Sequence, residues 1–427
     1  MTASRNRPLS SHFSLFFSRN YQSKAAFAIM AVICLLASRV EAKYSGGTGE
    51  PNNPYRIATP NDLNDIGNHP EDWSSHFVMV NDINLADYNG TKFNMIGEKT
   101  PDAGTPFTGV FDGNRHMITN FNYTGSEEYP TGLFEYVGPS GEIGDLALQD
   151  VNVTNDYLGS TVGALVGYNR GTVRQCFVAG IVSGNHLVGG LMGYNYYGVI
   201  SYSFMSGTVS GADDFTGGLT GANLGIISSC CATGSVFGGN YTGGLVGENY
   251  HGMISDCFSS GNVSGRGYDA AGLVGVNVDG TISNCYATSV VSGNHRVGGL
   301  VGYNVDSTIS NCYAVAAIDG NDNIGGLVAY HESGSYTKCF WDSDVNPDVN
   351  GIGNGTDPNV TGKTTDKMQK ESTFTDAGWD FVEIWNIGEN QTYPFLRVYP
   401  AGDLNHDGRV DLFDFGILAG HWLEGVE

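Results

Sequence analysis

Seven times between residues 163 and 327 the chain sets down two small residues followed by leucine. The copies are Gly163-Ala164-Leu165, Gly189-Gly190-Leu191, Gly217-Gly218-Leu219, Gly243-Gly244-Leu245, Ala271-Gly272-Leu273, Gly298-Gly299-Leu300 and Gly325-Gly326-Leu327. A second marker follows each leucine at Cys176, Ser203, Cys230, Cys257, Cys285, Cys312 and Cys339. Both markers keep a period of 26 to 28 residues. A period of that length belongs to units that bury their apolar face only by stacking on copies of themselves.

The unit has to be made of strands. Within one copy, such as Val297 to Gly320, the apolar runs are short, β-branched and aromatic, and Gly, Asn and Ser interrupt them every few residues. No run is long enough for an amphipathic helix. Three strands per copy are expected, around Leu300, Ile309 to Tyr313 and Ile318. Repeated in register, they make an all-β fold: a parallel β-helix of about seven to eight 27-residue coils.

Equivalent residues of successive coils then stand about 4.8 Å apart and form columns. The leucines, and Val173, Ile200, Ile227, Ile254, Ile282 and Ile309, are expected to fill the core. Asn169, Asn195, Asn223, Asn249, Asn277 and Asn304 make a third column, broken at His331. Stacked amides can bond their neighbours above and below, and Asn tolerates the left-handed backbone of a tight corner. Whether Cys312 or Tyr313 points inward stays open, because a bend at Asn311 would reset the alternation.

The repeated GGLVGYN step, with GTISNCYAT at Gly280 to Thr288, resembles the GLUG motif, a glycine-rich repeat of secreted and surface-attached bacterial proteins. The resemblance covers roughly Thr131 to Trp341. It implies a secreted β-solenoid with a binding or adhesive role, and it supplies no catalytic residues.

Before the repeats, Arg5, Arg7, Arg19 and Lys24 precede an apolar run from Ala25 to Ala37, and Val40-Glu41-Ala42 offers small residues for cleavage. Residues 1–42 are therefore expected to be a secretory signal peptide, and no later stretch is apolar for long enough to span a bilayer. The remaining 385 residues hold 15 Lys and Arg against 43 Asp and Glu, a net charge near −28. Such a chain repels nucleic acid and favours cations or neutral sugars.

Residues 43–130 lack the period and are expected to cap the first coils, with a short helix opened by Thr59-Pro60-Asn61-Asp62. Residues 131–341 are the solenoid. Residues 342–400 are expected to be a C-terminal cap, loop-like from Asp342 to Thr365 with a short helix near Asp366 to Lys370. Trp379, Phe381, Trp385, Tyr393, Phe395 and Leu396 would pack on the last coil or form a sugar-stacking platform.

Residues 401–427 carry a sharper signal. Asp403, Asn405, Asp407, Asp411 and Asp414 occupy positions 1, 3, 5, 9 and 12 of a loop, Gly408 occupies position 6, and Arg409 can offer its carbonyl. Several oxygens around a sharp glycine turn make a calcium loop. Phe413, Ile417, Leu418 and Trp422 follow on one helical face. This stretch resembles one half of a type I dockerin, which implies Asp403, Asn405, Asp407, Asp411 and Asp414 as calcium ligands and a cohesin as partner. A full dockerin has two loops; here one is present, and Leu412 and Phe413 stand where partner choice is usually made.

Seven cysteines remain after residue 42, either as buried small hydrophobes or as pairs such as Cys285 with Cys312. Two functions are compatible with these features. One is a secreted or cell-surface binding and adhesion solenoid, tethered by its calcium module and taking a polysaccharide or surface protein on its face. The alternative is a polysaccharide hydrolase or lyase docked through the same tail. Asp213, Asp214, Asp256, Asp269, Asp279, Asp306 and Asp322 are its available carboxylates, and spacing singles out none of them.

Overall fold

The computed structural model describes residues 43–99 and 104–397. They form an all-β parallel β-solenoid of about nine turns with few helices. The expected signal peptide, residues 1–42, and the expected calcium loop, Asp403 to Asp414, lie outside the described residues.

The most regular coils, from Asp214 to Asp319, hold five short strands where the sequence reading expected three, and the coils to either side merge some of them into longer strands such as Thr172–Gly184 and Asp322–His331. In one coil they are His295–Gly298, Val301–Val305, Ser307–Ser310, Tyr313–Ala314 and Ala317–Asp319. The first two stack into a 15-stranded sheet and the last three into a 25-stranded sheet. Leu300 lies in neither. It sits at the corner between the first and second strands, pointing into the core, and all seven leucines of its column are fully buried. The glycines make that corner possible: a Cβ on Gly298 would fall 2.0 Å from the Val301 carbonyl oxygen, and one on Gly299 would fall 2.1 Å from the Gly326 oxygen of the next coil.

The other columns fall as expected, with one change of reason. Val173, Ile200, Ile227, Ile254, Ile282 and Ile309 are fully buried and paired in register. The asparagines are fully buried and bonded in series, each Nδ2 donating to the next Oδ1 at 2.8–2.9 Å. Their backbones, however, are not left-handed. That conformation belongs to the residues beyond them, at Tyr197, His251, Asp279 and Asp306, and to the corner before the fourth strand, at Gln175, Tyr202, Ser229, Asp256, Asn284, Asn311 and Lys338. At His331 the series stops, and the ring bonds Tyr336 Oη instead, at 2.9 Å.

The bend at Asn311 turns Cys312 inward and Tyr313 outward. All seven cysteines are free and buried. Their column does more than fill space. The amides of Cys230, Cys257 and Cys285 donate to the sulfur one coil further on at 3.3–3.4 Å. Each of those thiols in turn donates to the carbonyl two residues before it. Ser203 does the same with oxygen, accepting from the Cys176 amide at 3.2 Å and donating to the Ser201 carbonyl at 2.9 Å. A corner amide that would otherwise be buried without a partner is thereby satisfied. Burial pushes the Cys176 and Cys339 thiols up to about 12.

At the N-terminal end, the strands Tyr55–Ile57, His76–Met79 and Val110–Asp112 pair in parallel and lead into Glu142–Asn155. The helix Pro60–Asn68 carries the capping box of Thr59 and Asp62 and buries Leu63 and Ile66. At the other end, the segment expected to be loop contributes two strands. Asn350–Ile352 pairs with Asp322–His331, and Val360–Lys363 pairs with Cys339–Asp342, so the last coil's edges are covered. Two short helices follow, Thr365–Met368 and Glu371–Thr375.

The C-terminal aromatics pack on the flank of several coils rather than on the end of the last one. Met368, Phe374, Trp379, Trp385 and Leu396 bury the outward rings of Tyr313 and Phe340, with Phe258 and Tyr286 at the margin. Tyr286 stacks on Phe258 at 4.9 Å and on Tyr313 at 5.0 Å, and Tyr313 Oη donates to the Pro394 carbonyl at 2.5 Å. Trp379 and Trp385 are thus largely core.

Candidate functional site

The first two strands of each coil meet at a corner so tight that backbone touches backbone. A Cβ on Gly247, in a second strand, would lie 2.6 Å from the Phe215 carbonyl carbon, in the first strand of the coil before; one on Gly275 would lie 2.5 Å from that of Tyr241. Side chains of the two strands therefore share one outer face, and three columns run along it.

The first column holds Asp214, Asn240, Tyr268, His295 and Asp322, with His186 one coil before Asp214. Asn240 Nδ2 donates to Asp214 Oδ1 at 2.9 Å, and His295 Nδ1 lies 2.9 Å from Asp322 Oδ1. The second column is left-handed throughout: Phe215, Tyr241, Asp269, Arg296 and Asn323. Phe215 and Tyr241 stack at 4.9 Å, and Arg296 Nη2 donates to Asp269 Oδ2 at 2.7 Å. The third column is the residue before each ladder asparagine. It reads Tyr168, Tyr194, Ala222, Glu248, Val276, Tyr303 and Tyr330, with Tyr136 ahead of it in register.

Tyrosines gather at the ends of this face. Tyr168 packs edge-on against Tyr136 at 5.4 Å and Tyr194 at 5.3 Å. Tyr196 lies 5.7 Å from Tyr168 and 4.6 Å from Tyr197, whose surface is 63% exposed. At the other end the Arg296 guanidinium sits among Tyr268, Tyr303 and Tyr330, 4.6 Å from the centre of Tyr303.

Carboxyls occupy the middle. Burial pushes Glu248 up to about 7, and the charge of Asp214 adds to the rise. Burial likewise lifts Asp269 to about 7, although the Arg296 guanidinium pulls the other way. Beside them, one ligand atom each from His186, Asp213 and Asp214 lie within 4.8 Å of one another.

Of the seven aspartates noted in the sequence, Asp213, Asp214, Asp269 and Asp322 belong to this face. Asp256 instead bonds Asn284 at 3.1 Å, and Asp279 faces His251 at 3.8 Å. Asp403, Asn405, Asp407, Arg409, Asp411 and Asp414 lie outside the described residues. His186, Glu248, Arg296 and the tyrosine column were not singled out from the sequence. The signal was there in the residue before each ladder asparagine, whose variation from Tyr to Ala to Glu marks an outward position.

The GLUG motif matches residues 238–264 and 293–319. The solenoid carries GLUG repeats. Among curated proteins, the chain is similar to halomucin of Haloquadratum walsbyi, 33% identical over 152 residues, which is 34% of this chain and 2% of that protein. It is also similar to a protein of Evansella cellulosilytica described as a Gly-rich membrane protein, 32% identical over 155 residues, or 36% of this chain and 17% of that one. The chain thus spans a small fraction of either relative's length. A crystal structure from Bacteroides ovatus, described as an immunoglobulin A1 protease, aligns with a TM-score of 0.42 at 20% identity, covering 83% of this chain and 95% of that one. Among the described residues, no helix is long and apolar enough to cross a membrane.

Proposed function

We propose that the chain is exported through residues 1–42 and acts at or beyond the cell surface as a binding solenoid, taking an extended polysaccharide on the face built by the first two strands of its coils. The observation that carries this reading is the tyrosine column Tyr136, Tyr168 and Tyr194, with Tyr196 and Tyr197 beside it, leading along the axis to a row of carboxyls. Aromatic faces stack on sugar rings, carboxyls accept from sugar hydroxyls, and a face that repeats coil by coil suits a polymer. The net charge favours a neutral chain over a polyanion. The GLUG repeats, and a relative described as a membrane protein, support the surface location.

The tail completes the proposal. Asp403, Asn405, Asp407, Asp411 and Asp414, with the Arg409 carbonyl, would hold calcium and present Ile417, Leu418 and Trp422 to a cohesin-like or other surface partner. A second reading, polysaccharide hydrolysis, is favoured by one feature: Glu248 is a carboxyl held near neutrality beside Asp214, as a general acid requires.

Retention of the purified chain on insoluble cellulose, xylan and mannan tests the first reading. At least one should retain it, and Tyr194→Ala with Tyr197→Ala should weaken retention at least tenfold; no retention, or none lost in the double variant, overturns it. Release of reducing ends from the retained polysaccharide, abolished in Glu248→Gln, would establish the second reading instead.

A further inference from the structure

We propose that His186, Asp213 and Asp214 form a binding site for a divalent transition-metal ion of the zinc type, separate from the calcium loop of the tail. Three ligand atoms, one nitrogen and two oxygens, converge from two consecutive coils to within 4.8 Å of one another. Three ligands bonded tetrahedrally to one zinc ion at about 2.1 Å lie about 3.4 Å from one another. The gap to close is at most about 1.4 Å, within reach of side-chain rotation at exposed Asp213 and at part-buried His186 and Asp214.

The surroundings hold the ligands in place. The Ala212 and Asp213 amides donate to the Gly184 and Asn185 carbonyls at 3.0 and 2.8 Å, which fixes one turn over the other. Phe215 stands edge-on to the His186 ring at 5.3 Å, and Asn240 Nδ2 donates to Asp214 Oδ1 from the following coil at 2.9 Å. Neither aspartate has an ion pair with Lys or Arg among the described residues, and the side chain of neighbouring Glu248 has no hydrogen bond or ion pair there either. Negative charge is thus concentrated without a protein cation to offset it.

The donor set selects the ion. Calcium takes six to eight oxygens and has little use for an imidazole, whereas one imidazole and two carboxylates suit zinc and leave a coordination position open. The three ligands stand on the same face as the tyrosines, where an oxygen of a bound ligand could complete the coordination. The proposal does not depend on the ligand being a polysaccharide.

The test uses residues 43–427 with calcium saturating, so that the oxygen-rich loop is occupied. Titration with zinc chloride, followed by calorimetry, should show one saturable site. His186→Ala and Asp213→Asn should each weaken it at least tenfold. His295→Ala, whose ring faces the single carboxylate of Asp322, should leave it unchanged. Cobalt(II) in place of zinc should give visible d–d absorption that disappears in the same two variants. Circular dichroism in EDTA checks that the variants are folded, and exposed Asp213 keeps the test open should His186→Ala misfold. No saturable zinc heat, unchanged affinity in Asp213→Asn, or an equal loss in His295→Ala would overturn the proposal.

Discussion

Asn223 Nδ2 donates to Asn249 Oδ1 at 2.8 Å across one coil step, and Asn249 passes the bond on to Asn277 at 2.8 Å and to the Gly252 carbonyl at 3.1 Å. Asn249 is fully buried, so each of these partners has no water to fall back on. Asn249→Ala removes three bonds at once and leaves Asn277 Oδ1 and one Asn223 Nδ2 hydrogen short of a partner, while the Gly252 carbonyl keeps the Thr281 amide. The expected cost is about 3 kcal/mol. Chemical unfolding checks it. Asn249→Asp should also destabilise, because a carboxylate cannot donate onward.

The cysteine column makes a parallel prediction in which chemistry outranks hydrophobicity. Cys257→Ser keeps an atom that accepts from the Cys230 amide, as Ser203 already does for Cys176. Cys257→Val keeps the apolar volume and orphans that amide, at a cost of about 1–3 kcal/mol. Valine should therefore melt lower than serine. A pure packing role would give the opposite order.

Stacking predicts how the chain tolerates loss of a unit. Deleting residues 218–243 joins Gly217 to Gly244 and preserves the corner ahead of Leu245. Solenoid stability is close to a sum of nearest-neighbour interfaces, so a shorter folded solenoid is expected, with unchanged strand signal per residue in circular dichroism. Deleting residues 44–130 bares strand edges, and aggregation should follow.

Asp269 gives a pH dependence whose sign can be worked out. Its folded pKa, about 7, lies above the ordinary 3.8 because burial disfavours the charged form more than Arg296 favours it. Its contribution to stability is full below about pH 4 and is lost as pH rises through about 7. Relative to Asp269→Asn, the wild type should therefore melt progressively lower between pH 4 and pH 8. A gap that stays constant with pH would show that Asp269 does not titrate there.

The calcium site proposed for Asp403, Asn405, Asp407, Asp411 and Asp414 sets four carboxylates close together in sequence, whose repulsion a bound ion would offset. Trp422 fluorescence should change saturably with calcium in the intact chain and not in Asp407→Ala. Asp279→Ala, in the solenoid, should leave the signal as it is.

Much of this molecule could be read from its spacing. A residue that recurs every 27 positions occupies one place in every coil, so the leucine, isoleucine and asparagine columns, the parallel stack and the GLUG character all follow from the repeat. The sequence could not place the corners. Strand alternation resets at each left-handed residue, and such residues are Asn or Asp at some coils but Tyr202, Phe215, Arg296 and Lys338 at others. For that reason five strands replaced three, and only the bend at Asn311 decided that Cys312 faces the core. The site was hidden for the same reason. His186 and Asp214 share one point of the period, Asp269 and Arg296 a second and Glu248 a third, and none of these residue types recurs along its column as leucine or asparagine does along theirs. What brings them onto one face is the glycine corner that folds the second strand against the first, a contact between backbones that no pattern of side chains records.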